Sequence, residues 1–217
     1  MLDQVSFSDF WDQFEDLKEV AQESNTRSVA EPVDRLFDDH ANVFIKSYVV
    51  SACSILEAFL HEVAVSYINN VQSRFQSLNA PHNLVVWAMS GDKGGKLNGS
   101  KFGQFELAVS RKDVSEVISG NVFKTVKAFA KFGVDLESDE EFCARKDFVA
   151  ATVEKRNGIV HRNDDASDLS FLDVINIVEE FVEYARAVQR VVATCPHIYT
   201  IHDSWISWAP TRQEATG

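Results

Sequence analysis

At 217 residues with 45% hydrophobic content, the chain is long enough to bury one sizeable core, and one main domain is expected. A formal charge of −12 and a pI near 4.9 argue against a protein that coats nucleic acid nonspecifically, because such binding runs on phosphate neutralisation by Lys and Arg. Any nucleic-acid contact must therefore be local.

The chain opens with Met1-Leu2-Asp3-Gln4 and lacks a basic-then-apolar leader. Its most apolar window, residues 48–60, is too short to cross a bilayer and contains Glu57, so no membrane role is expected. Cys53, Cys143 and Cys195 are far apart, odd in number and without metal-ligand spacing. Reduced thiols in a cytoplasmic protein fit that pattern.

Phe7, Phe10, Trp11, Phe14, Leu17 and Ala21 recur at helical spacing, with Ser6 or Ser8 available as a cap. Residues 22–31 are polar and aperiodic and read as a linker, so residues 1–30 form an N-terminal helix and linker. Pro32 suits a first helical turn, and a long helical region is expected from about residue 32 to about residue 76. It carries Val33, Leu36, Phe44, Ile45, Tyr48, Ile55, Leu56, Phe59 and Val63, a stripe broad enough to be covered on more than one side. Ser47, Ser51, Ala52, Ser54 and Ala58 would let another helix approach closely. Glu57 lies among them and either meets a cationic or hydrogen-bonding partner or points to solvent at the edge of the stripe.

A short apolar piece, 84–89, is followed by a loop rich in Gly and Lys, residues 90–101. Gly94 and Gly99 have phosphate-loop spacing, but Ser100-Lys101 stand in the wrong order and no strand precedes them. Lys93, Lys96 and Lys101 make it a basic loop suited to skimming an RNA backbone. Across residues 91–131 eight Lys/Arg face four acids. Helices are expected over 105–118 and 122–132, hinged at Ser119-Gly120-Asn121, the second ending at Gly133. Ser138 to Glu141 has capping-box spacing and opens a helix through Phe142, Val149 and Val153 to Arg156, with Gly158 at its end. A last strong helix starts within residues 167–170 and stops at Thr194-Cys195-Pro196. Residues 195–217 form a C-terminal arm or tail, in which 197–208 read as a short strand or extended arm.

Three arginines are followed by a histidine within seven residues: Arg35 by His40, Arg156 by His161, Arg190 by His197. The first pair sits among Asp34, Asp38 and Asp39, which would repel phosphate, and the third straddles a helix end at Pro196. Arg156 is followed at once by Asn157. A guanidinium matches a phosphate, and an imidazole exchanges protons near neutrality, so the pair is a minimal kit for phosphodiester cleavage. On one straight helix, residues five apart point about 140° away from each other. Either the helix ends near Gly158 and the backbone turns, or each residue meets its counterpart from another chain. No Gly-x-Ser-x-Gly, His-Glu-x-x-His or clustered carboxylate pattern supports other hydrolase chemistry. His61, His82, His197 and His202 have no partner visible in the sequence.

The motif from Val153 to Arg162, an apolar early helix carrying Glu57 and a Gly-containing middle together resemble the HEPN superfamily over about residues 33–193, closest to the branch found among RNA-targeting and defence proteins. The resemblance implies an all-α bundle of four to five main helices with additional short ones, a HEPN-like domain over 31–194, and a two-fold dimer with two motifs facing each other. It implies a metal-independent endoribonuclease without cofactor. His161 would serve as general base or acid, Arg156 would stabilise phosphoryl charge, Asn157 would position the phosphate or the histidine, and Glu57 and Arg162 would support them. A toxin or defence effector held by an antitoxin or an activating partner is the implied setting. The alternative within the same superfamily is a noncatalytic dimer that binds RNA or protein.

Overall fold

The computed structural model describes residues 7–90 and 102–195. The expectations for Ser6, for the basic loop with Lys93, Lys96 and Lys101, and for the arm over 197–208 lie outside the described residues. Among the described residues the chain is all-α: α1 (Ser8–Ser28), α2 (Arg35–Asp39), α3 (Ala41–Ser77), α4 (His82–Ser90), α5 (Arg111–Val117), α6 (Val122–Lys131), a 3-10 turn (Leu136–Ser138), α7 (Glu140–Arg162) and α8 (Phe171–Thr194).

The long helix α3 is the axis of the bundle, with α1, α7 and α8 packed along it and against one another. Leu56, Phe59, Leu60 and Val63 of α3 meet Phe14 of α1, Val149 of α7, and Phe181 and Val188 of α8 in one continuous core. Each such side chain fully removed from water contributes about 1.5–3 kcal/mol, which is why α3 tolerates its interrupted stripe. Trp11 and Phe10 of α1 both pack on the Phe59 ring, at 5.2 and 5.7 Å between centroids, so α1 is part of this core. One 18-residue window of α3 has a mean hydropathy of 1.7, and the 37-residue helix is long enough to cross a membrane. The apolar stretch is thus longer than residues 48–60 imply, and α1, α7 and α8 cover its buried side.

Several boundaries differ from the sequence reading, each for a specific contact or cap. α1 continues through Ser28, because residues 22–28 trade apolar spacing for pairs: Arg27 with Glu23 at 2.7 Å, and Ser24 Oγ with the Tyr48 hydroxyl at 2.8 Å. Pro32 precedes the second helix instead of opening it; Asp34 caps α2 at Leu36, and the chain breaks at His40 before α3. Residues 105–110 are not helical. Gln72 Nε2 donates to the Leu107 and Val109 carbonyls, holding that segment against α3, and the Ser110–Asp113 capping box starts α5. α6 ends as expected, with Gly133 at φ 82°. Asp139, not Ser138, caps α7 by accepting from the Phe142 amide, and Ser170 with Asp173 boxes the start of α8.

Candidate active site

α7 does not stop at Gly158. It runs unbroken to Arg162 and ends where Asn163 adopts a left-handed conformation, φ 55°, held by Lys46 from α3. Asparagine tolerates that conformation better than other non-glycine residues. Gly158 has a different task from terminating the helix. A Cβ there would lie 2.4 Å from Asp164 Oδ2 and 2.8 Å from Arg162 Nη2, so glycine leaves room for the Arg162–Asp164 ion pair to fold back over the last turn. Arg162 is therefore held by Asp164, at 3.0 Å.

Arg156 turns inward toward α3. Its Nη2 donates to Glu57 Oε2 at 3.0 Å, and its Nη1 donates to Asn157 Oδ1 at 3.2 Å. The arginine side chain is 20% exposed and the glutamate 41%, so both alternatives for Glu57 hold at once: it sits at the edge of the stripe and it has a cationic partner. The guanidinium Nε is enclosed without a partner among the described residues. Cys53 lies beneath the pair, one turn before Glu57. Burial pushes its thiol up to about 12 against the opposing pull of Arg156, so the sulfur stays protonated and is no nucleophile near neutrality.

His161 lies on the opposite side of the helix and is exposed. The unbroken α7 removes the first of the two options for bringing it to Arg156, a backbone turn at Gly158. What the fold assembles within the chain is Arg156, Asn157 and Glu57; His161 stands apart from them. The two other arginine–histidine spacings have structural uses: Arg35 opens α2, and Arg190 grips the α7 cap Asp139 with two bonds of 2.8 and 2.9 Å.

Beside Glu57 a cavity of about 300 Å³ opens between α3 and α5, lined by Ser54, Glu57, Ala58, His61, Ser115 and Ile118. His61 was without a visible partner in the sequence, although its place four residues after Glu57 puts both on one face of α3. Its Nδ1 is 3.8 Å from Glu62 Oε1, and that carboxylate is paired with Arg111. Burial, then the Arg111 charge, holds the imidazole below its ordinary 6.5. The unfolded chain therefore takes up a proton, as pH falls below about 6.5, that the folded chain resists, so this contribution to stability is present above 6.5 and lost on acidification. The urea midpoint is expected to fall between about pH 7 and about pH 5.5. In His61→Gln that fall should be smaller; an identical fall would assign it to other groups.

The profile of one known family matches residues 12–194, from within α1 to the end of α8. The chain belongs to the RiboL-PSP-HEPN family. Neither the curated proteins nor the solved structures provide a match to it. Membership agrees with the all-α architecture and with a nuclease or RNA-related role for this HEPN protein.

Proposed function

We propose that this HEPN protein is a metal-independent endoribonuclease whose active centre is assembled from two copies of α7. The orientation of the motif carries this reading: Arg156 faces Glu57 inside the protomer, while His161, five residues on along an unbroken helix, faces outward. A two-fold dimer would set the exposed histidine of one protomer over the phosphate gripped by the arginine of the other. The exposed side of α3 suits such a close approach. Val43, Ser47, Ser51, Ser54 and Ala58 line it with short side chains, and Val160 is exposed one residue before His161.

In this centre His161 takes the proton of the RNA 2′-hydroxyl, and the alkoxide attacks the adjacent phosphorus. The bond to the 5′-oxygen breaks, and that oxygen receives the proton that His161 took up, giving a 2′,3′-cyclic phosphate and a 5′-hydroxyl and returning the imidazole to its neutral form. Arg156 neutralises charge growing on the phosphoryl oxygens, Glu57 and Asn157 fix the fork of the guanidinium, and no metal or cofactor takes part. The test is incubation of the purified chain with RNA in excess EDTA, followed by analysis of the product ends. Cyclic-phosphate ends are expected, and intact RNA, or ends of any other kind, would reject the proposal.

Resemblance to the defence branch of the superfamily supports a cytoplasmic toxin or anti-phage effector, restrained by an antitoxin or triggered by a partner. A second reading is a noncatalytic dimer that binds protein or RNA; the net charge of −12 suits its protein-binding form. The same cleavage assay separates the two.

A further inference from the structure

Among the described residues of this acidic chain, most of the lysines and arginines are paired with carboxylates. Lys18 pairs with Glu179, Lys146 with Glu137, Lys155 with Asp168, Arg156 with Glu57 and Arg190 with Asp139. On α6 the pattern changes. Lys124, Lys127 and Lys131 are all exposed, and none has an acidic partner among the described residues. α6 itself contains no acid to offset them.

These three lysines share one face with Phe123, a residue 65% exposed. At 100° per residue all four fall within a sector of about 100°, and Lys124 to Lys131 spans about 10 Å of helix axis. The opposite face, Val122, Thr125, Ala128 and Phe129, is buried and locks the helix in this orientation. An aromatic ring set beside a row of unpaired ammonium groups is the combination that holds single strands, charge for the phosphates and a π-face for a base.

The start of α6 is anchored at the candidate centre. A Cβ added at Gly120, in the connection from α5, would lie 3.6 Å from Glu57 Oε2, so the chain enters α6 from beside Glu57, the partner of Arg156. Asn121 then caps the helix at Lys124, and Thr125 Oγ1 donates to the Ser119 carbonyl at 2.6 Å. The helix that carries the basic face thus starts beside the partner of the arginine that would hold the scissile phosphate.

We infer that the exposed face of α6 is the track for the RNA strand flanking the cleaved bond, with Lys124, Lys127 and Lys131 on successive phosphates and Phe123 stacked on a base. This rests on RNA being the substrate but not on cleavage itself. The test uses a fluorescent single-stranded DNA oligonucleotide, which lacks the 2′-hydroxyl and is not cut, titrated against the full chain over a range of salt. For the triple variant Lys124→Gln, Lys127→Gln, Lys131→Gln, the slope of log K against log salt should shrink by about 2, since each single-strand phosphate contact contributes about 0.7. Phe123→Ala should weaken binding about tenfold with the slope unchanged. Lys146→Gln, which removes a paired cation, should change neither. An unaltered slope in the triple variant, no binding by the native chain, or an equal change in Lys146→Gln would overturn the assignment. Retained DNA binding in a chain that leaves RNA intact would instead reject the nuclease reading and leave this face standing.

Discussion

Replacing His161 with alanine is expected to abolish RNA cleavage while leaving the urea midpoint where it was. The side chain is exposed and makes no hydrogen bond or ion pair within the described residues, so its loss falls in the range of neutral surface substitutions, within about 0.5 kcal/mol. A positioned general base or acid contributes about 10²–10⁴-fold to rate, and that factor should disappear from kcat. A fold that survives with its activity gone is the signature of chemistry. A variant that keeps more than a tenth of the native rate would remove His161 from the mechanism.

Arg156→Ala should lose activity by about 10²–10³-fold, the range for removing one group that stabilises transition-state charge. Here a structural cost accompanies the chemical one. The substitution strands Glu57 and opens space beside Cys53, but Glu57 is 41% exposed and water compensates much of the lost pair. Stability is therefore expected to fall by only about 1 kcal/mol. Arg156→Lys separates charge from geometry, because an ammonium cannot reach Glu57 and Asn157 with the same planar fork. It should restore stability more fully than rate. Equal recovery of both would make the arginine a helix-packing residue instead of a phosphate ligand.

Where side chains answer to local rules, the sequence was a sufficient guide. The helix starts at Asp139 and Ser170 follow from capping chemistry, to within a residue, and the stripes of α1 and α3 name much of the core that the structure buries. Gly133 ends α6 as its type requires. The two longest boundary differences have one cause, partners far away in sequence. Residues 22–28 stay helical because Ser24 meets Tyr48, and residues 105–110 are drawn out of a helix by Gln72. Gly158 looks like a stop signal and is a gap for Asp164, which only the fold places over it.

The candidate centre was legible to the same depth. Arg156 and Asn157 stood out by spacing, and Glu57 as a charge inside an apolar stripe, yet nothing local told that 99 residues of separation close to a 3.0 Å contact. Helix periodicity alone foresaw that Arg156 and His161 diverge, and the unbroken α7 makes that divergence real. The lysines of α6 were visible as local charge, but their lack of acidic partners emerges only once the pairs elsewhere are drawn. Lys93, Lys96 and Lys101, the basic residues that the sequence marks for RNA, lie outside the described residues.

The claim on which the mechanism turns is that the two halves of the motif act across a dimer. Arg156→Ala and His161→Ala, each inactive alone, would be mixed under conditions that exchange subunits, and RNA cleavage in EDTA followed. Each heterodimer then contains one centre with a native arginine from one chain and a native histidine from the other, so activity should return, and with it cyclic-phosphate ends. If the mixture stays as inactive as its components while sedimentation shows that heterodimers have formed, the centre does not cross the interface, and the composite site is wrong.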